Sequence, residues 1–430
     1  MLHLMRSRGM GLLVTGTLLV LVGCLPVEES QEGTSEETPS FFEQVLSSAP
    51  RIPVAAESFT EIEPNDLFSS ASPILFENSV DLIGTIASGS ATLDRDLYEL
   101  GPASAGDRIQ ATFTINNGRD LVFGLFDDQL RLLAYIDQSS YATGPREIDL
   151  VLREATEALY AMAATRSSSS QGRAYTTNFS IEPGTSIPAY HPQVVVLNFS
   201  GADNVRIGNR VPVNVPPFDV ANIDSRFAGQ TDLLIELLLE LVREDYAGLS
   251  VEIYADDDPN LPAGEHTVLY FGTSDPGLLG LADNIDPFNA DATQSAILYT
   301  DTFALFNPLV YDLYDHAQVL ANVASHEAGH LLGLRHTTDP DGIMDITATA
   351  RQMLQDQWFK KSPLHASVGP IGYQDAAAML AWTVGGELIP RSPAKRANQL
   401  KPSDVGGDPD DFIVPRHLLS SCSEHDHEPH

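Results

Sequence analysis

Between Phe59 and Glu182, apolar and polar positions alternate in short runs such as RIQATFTI, LVFGLF, LLAYI, LYAMAAT and AYTTNFSIE, separated by Gly, Asn, Asp and Ser. A period of two sends successive side chains to opposite faces, so these runs read as strands with one buried face. With turns this frequent, an all-β sandwich is predicted over 58–184. After a linker from Thr185 to Gln193 the pattern changes, and VVVLNFSG reads as a fully buried strand. TDLLIELLLELVRED, Thr231 to Asp245, keeps Glu236, Glu240, Arg243 and Glu244 on one stripe. Charges recurring every turn leave one wet and one core-facing side, which predicts a packed helix rather than a membrane anchor. LSVEIYA, HTVLYFG and SAILYT add strands, and a second helix is predicted from about Leu313 to Leu332. Strands interleaved with two helices predict an α/β layer structure for 193–386.

The chain has 430 residues, 43% of them hydrophobic, enough to bury the cores of two domains. Lys and Arg total 24 against 59 Asp and Glu, a formal charge of −35. Such a surface repels phosphate backbones and excludes nucleic acid as an electrostatic partner. Its two cysteines, Cys24 and Cys422, cannot build a disulfide framework, so the cores rely on apolar burial or bound metal.

Arg6 and Arg8 precede an apolar run over 9–23 that ends in LVGC at Cys24. A basic start, a short apolar middle and a small residue before the cut predict a secretion signal over 1–23 rather than a membrane span. The acidic, polar stretch EESQEGTSEETPS dominates 24–57 and reads as a flexible tether. Residues 387–430 end in SEHDHEPH and read as a disordered tail, in which His425, His427 and His430 are solvated rather than metal ligands.

The chemistry concentrates in HEAGHLLGLRH, His326 to His336. Residues four apart on a helix stand one turn above each other, so His326 and His330 present their imidazoles side by side. Gly333 can adopt the left-handed conformation that ends helices, letting the chain turn and bring His336 to the same point. Three neutral nitrogens leave a fourth position open, which distinguishes a catalytic from a structural zinc site. Glu327 projects beside the metal, placed to take a proton from an attacking water and pass it to the leaving amine. By average composition a bare HExxH arises by chance in roughly one of a hundred chains of this length. The added Gly and third His make coincidence negligible.

Three resemblances follow. LVGC resembles the bacterial lipoprotein lipobox, which implies that Cys24 carries a lipid and becomes the new N-terminus. EPNDLFSSASPI, LIGTI, DRDLYEL and AGDRIQATF resemble the bacterial pre-peptidase C-terminal domain, a small β-sandwich that here precedes rather than follows a catalytic domain. HEAGHLLGLRH with Met344 in GIMD resembles the metzincin metallopeptidases, and the interval from His336 to Met344 is similar to that of matrixins. That last resemblance implies a twisted mixed sheet with a long active-site helix, Zn²⁺ held by His326, His330 and His336, and Met344 as the floor of the site. It also implies that SAILYT is the edge strand aligning a peptide substrate and that IGYQDAAAML forms the helix after the Met-turn. Thr337 departs from the usual matrixin serine, and Ile346 removes the zinc-touching tyrosine of astacins and serralysins. The cysteine-based silencing of matrixin zymogens has no counterpart, because the tether's cysteine is the lipid site.

The expected function is that of a lipid-anchored, extracytoplasmic zinc endopeptidase of a bacterial envelope, monomeric, acting on polypeptides. Its membrane contact is through Cys24 alone. The alternative is a surface-binding lipoprotein with a vestigial metzincin fold. Asp94 and Asp96, and the acidic loops at 255–260 and 283–291, are candidate Ca²⁺ ligands, set against the commoner use of turn aspartates to bond their own backbone.

Overall fold

The computed structural model describes residues 58–87, 94–116, 121–137, 146–165, 173–369 and 371–390, all within the unit Val54–His430. The expected signal segment with Cys24, the tether and the tail beyond 390 lie outside these residues.

Two five-stranded sheets occupy the first half. One has the order β1 (Ser58–Thr60), β3 (Ser79–Ile86), β10 (Arg173–Glu182), β5 (Arg108–Ile115), β8 (Arg146–Val151). The other runs β2 (Ser72–Pro73), β4 (Arg95–Glu99), β9 (Tyr160–Thr165), β6 (Leu121–Phe126), β7 (Leu132–Asp137). Leu82, Phe113, Tyr175 and Phe179 of the first sheet meet Tyr98, Phe123 and Leu125 of the second in one core. The stacked rings of Phe113 and Phe123, 5.3 Å apart, bridge the layers.

The sheets differ in their outer faces. In the first, burial alternates along β3 and β5 as the period-two pattern predicts. In the second, every residue of β6 is buried, and all of β9 after its first residue. The expectation of one wet face therefore fails for the second sheet, because its outside is covered by another part of the chain.

The second half carries a five-stranded sheet ordered β14 (Val251–Ala255), β11 (Gln193–Asn198), β15 (Thr267–Phe271), β17 (Ser295–Leu298), β16 (Gly280–Ala282). All pairings are parallel except β16 with β17. A hairpin of β12 (Ala202–Val205) and β13 (Val213–Val215) stands apart. The expectation that SAILYT forms the sheet edge is corrected here. That stretch contains β17, which lies between β15 and β16, and the edge belongs to Gly280–Ala282, which folds back antiparallel along it. Three residues are too few to show alternation, so this strand left no mark in the pattern.

Helix α1, Thr231–Asp245, buries Leu234, Leu238, Leu241 and Val242 against α2, Leu313–Leu331. Each such apolar side chain contributes roughly 1.5–3 kcal/mol on full burial. Asp312 caps α2 by accepting from the Asp315 amide at 3.2 Å. From His316 to Leu331 every residue of α2 is buried, so this helix is the axis of the domain. A third helix, α3 (Ala376–Val384), follows the short hairpin of β18 (Lys361–Pro363) and β19 (Tyr373–Asp375). Among the described residues no helix is long and apolar enough to cross a membrane.

Candidate metal centre

The end of α1 sets the depth of α2. Tyr246 donates its hydroxyl to the Ser325 carbonyl at 2.9 Å, and Ser325 donates to the buried Asp245 at 2.6 Å. Both bonds fall on the residue before His326, fixing the rotation at which the helix presents its histidines.

His326 and His330 then face each other, with their Nε2 atoms 3.0 Å apart. Gly333 has φ +94 and ends the helix, where a side chain would stand 3.0 Å from Pro287 Cα. The chain turns there and returns the His336 ring to within 5.4 Å of His326 and 4.8 Å of His330, centroid to centroid. One nitrogen from each of the three rings lies within 4.8 Å of the others.

Second bonds orient the rings. Nδ1 of His326 contacts the Ile343 carbonyl at 2.7 Å, and Nδ1 of His330 contacts the Leu334 carbonyl at 2.7 Å. Each pairing requires a proton on Nδ1 and leaves the Nε2 lone pair for a cation. Both nitrogens of His336 are buried without a protein hydrogen-bond partner. An unpaired buried imidazole is costly unless something else takes its lone pair, so this donor set fits a divalent metal with nitrogen preference, as zinc has. Burial drives all three rings toward the neutral, ligating form: His326 is pushed down to about 4, and His330 and His336 well below the usual range.

Met344 is buried, and a side chain added at Gly329 would stand 2.8 Å from its sulfur. The methionine therefore fills the space under the one helical position between His326 and His330 that has no side chain. Its carbonyl accepts from the Thr337 amide at 2.8 Å, tying the turn to the residue after His336. Asn322, one turn before His326, donates to the Met353 and Gln355 carbonyls at 2.8 Å each, holding the chain beyond that turn.

Glu327 is buried beside the edge strand. Any side chain on Gly280 would meet its carboxylate, with Cγ only 2.8 Å away. The sequence reading missed Gly280; its one signal was a glycine inside the apolar stretch LLGLA. Also missed was Gln374, whose side chain accepts from the Arg335 amide at 2.6 Å and donates to the Arg335 carbonyl at 2.7 Å, bracing the residue before His336.

Calcium is not supported at the acidic loops or at Asp94 and Asp96. In the loops the aspartates serve the backbone: Asp256 accepts from Phe199, Asp283 from Gly208 and Ser295, and Asp286 from Asp291. Asp94 accepts from the Ala87 amide, and Asp96 from the Tyr175 hydroxyl at 2.5 Å. Asp96 does come within 4.8 Å of Glu61 and Glu63, yet burial first, and then its bond with Glu61, push its carboxyl well above the usual carboxylate range, toward the protonated form.

Residues 250–358 match the family model of the matrixin peptidases. This span holds the three histidines, Glu327 and Met344. Among solved structures, an archaemetzincin from Methanopyrus kandleri is similar at 13% identity, covering 39% of this chain and 87% of that one, with a TM-score of 0.23. A pre-peptidase C-terminal domain of collagenase from Bacillus anthracis is similar at 14% identity, covering 26% and 94%, with a TM-score of 0.19. A periplasmic lysozyme inhibitor from Aeromonas hydrophila is similar at 15% identity, covering 29% and 99%, with a TM-score of 0.20. Scores this low carry no weight for chemistry. No curated protein matches the chain.

Proposed function

We propose that the protein is a zinc-dependent endopeptidase in which His326, His330 and His336 hold the metal and Glu327 is the acid–base group. The observation that carries this reading is the convergence of three buried, neutral imidazoles, two of them oriented by backbone carbonyls, next to one buried carboxylate. The matrixin match over the same residues agrees with it.

Zinc bound there would supply Lewis acidity, lowering the pKa of a water to about 7 and polarising a peptide carbonyl. The rest is done by the chain. Glu327 accepts the water's proton and returns it to the leaving amine, work typically worth about 10² to 10⁴ in rate. β16 ends the sheet beside Glu327, and an extended polypeptide would add there as a further strand. Backbone pairing explains action on polypeptides without requiring one particular side chain. Met344 takes no proton and serves as the apolar floor.

Glu327→Gln tests the assignment: it should retain one zinc per chain and lose casein cleavage by at least about 10²-fold. Near-parental turnover would refute the role of Glu327. Casein zymography with and without chelator tests the activity itself, since a purely binding protein clears no zone under either condition. We propose further, from the lipobox-like LVGC, that the protein is held as a monomer at a bacterial envelope by a lipid on Cys24. Cys24→Ser should release it from the membrane fraction, and unchanged sedimentation would refute the anchor.

A further inference from the structure

We infer that the β-sandwich is a positioning module for the metal centre, with Tyr135 as its principal contact. This rests on the reading of the three histidines as a metal site.

The outer face of the second sheet presents Leu97, Val122, Phe126, Leu132, Met162 and Ala164. A free sandwich keeps such a face polar. Here it is dry because Leu364, Val368 and Ile371, from the segment after β18, pack onto it. Polar bonds stitch the same seam. The Tyr373 amide donates to the Leu130 carbonyl at 2.9 Å, and Lys361 Nζ donates to the Gln129 carbonyl at 2.9 Å. Tyr135 donates its hydroxyl to the Val368 carbonyl. Gly372 lets the two parts approach closely: it has φ +90, and a side chain would lie 2.5 Å from the Phe126 ring.

The other side of that segment holds the third histidine. The His365 amide donates to the His336 carbonyl at 3.0 Å, and the Thr338 amide to the Pro363 carbonyl at 3.0 Å. Thr337 lies between Leu364 on one side and Asp345 of the Met-turn on the other. Tyr135 reaches the site by a second route, because the Arg335 guanidinium sits over its ring at 4.2 Å. The chain around Leu364, His365 and Val368 is thus held between the sandwich and His336. Unlike His326 and His330, His336 is not carried by α2, and its ring makes no hydrogen bond that would fix it. Its position depends on what holds its backbone.

The test uses the full chain and reads zinc affinity by competition with a chromogenic chelator, together with amide hydrogen exchange. Tyr135→Leu removes both the ring under Arg335 and the hydroxyl on Val368. Zinc affinity should fall about tenfold, as for other groups that orient a ligand from behind. Exchange over 361–373 should quicken, while β3, β5 and β10 in the other sheet keep parental protection. Tyr135→Phe keeps the ring and should recover most of the affinity; being nearly isosteric, it keeps the test decisive if the leucine variant misfolds. Parental zinc affinity in Tyr135→Leu, or in Tyr135→Phe loss as large as in Tyr135→Leu, would overturn the assignment of the ring. A parent protein that takes up no zinc, with the segment still protected, would sink the metal reading and this inference with it. Parental zinc binding with an unaffected leucine variant would sink this inference alone.

Discussion

Gly280 and Glu327 share one space: the edge strand can lie against the carboxylate only because residue 280 has no side chain. The strand proposed to pair with substrate and the carboxylate proposed as its acid–base group are therefore set against each other directly, rather than through an intervening side chain. Gly280→Ala should displace the carboxylate while leaving the histidines untouched. A misplacement near 1 Å at a reacting group can cost about 10²-fold, so kcat on a casein-derived fluorogenic peptide should fall by that order with zinc content unchanged. Parental kcat in a zinc-loaded Gly280→Ala protein would show that the carboxylate has room to move.

Packing under the histidines gives a second expectation. A side chain at Gly329 would stand 2.8 Å from the Met344 sulfur, so Gly329→Ala overfills the site and should destabilise the fold by about 1–3 kcal/mol. Met344→Leu, which conserves volume, should cost less than about 1.5 kcal/mol. Urea unfolding of both variants measures the difference, and equal midpoints would argue against a packed floor.

Asn322 is buried and satisfies two carbonyls at once, at Met353 and Gln355. Asn322→Ala leaves both carbonyls and the Gln318 amide, which donates to Asn322 at 3.0 Å, without their partner. Unsatisfied buried groups cost about 1–3 kcal/mol each, though relaxation around a smaller side chain lets water recover part of this. The expected loss is at least about 2 kcal/mol by urea unfolding, and a change within experimental error would contradict the anchoring role.

The histidines also set a pH dependence for the metal-free protein. Burial lowers His326 from an ordinary 6.5 to about 4, and lowers His330 and His336 well below 6.5. Between these values the unfolded chain binds protons that the folded chain does not, so stability rises with pH across this window. The metal-free protein should be fully stable above 6.5 and lose stability as pH falls from 6.5 towards 4. Urea midpoints of chelator-treated protein across this range measure it, and a midpoint that rises on acidification would reverse the sign.

Much of this architecture was legible in the residue pattern, and the exceptions have a common origin. The stripe of Glu236, Glu240, Arg243 and Glu244 marks a helix whose observed bounds, Thr231–Asp245, are those the charges predict. The spacing from His326 to His336 is a local matter of one helical turn and one glycine, so the grouping of the rings could be read within eleven residues. The edge strand could not be read this way, because a three-residue strand is defined by its partner β17 rather than by its own pattern. Nor could the dry outer face of β6 and β9 be assigned: the alternation read for LVFGLF and YAMAAT gives way to burial at nearly every position, and nothing local says what covers the far side.

The chain by itself determined the elements and the local chemistry, because periodicity, capping and i to i+4 spacing are settled between neighbours. Tertiary structure alone decided which strand lies beside Glu327 and what stands behind His336. Those depend on contacts between residues distant in sequence, up to the 233 positions between Tyr135 and Val368, and the energy of such contacts belongs to the pair and leaves no periodic trace in either segment.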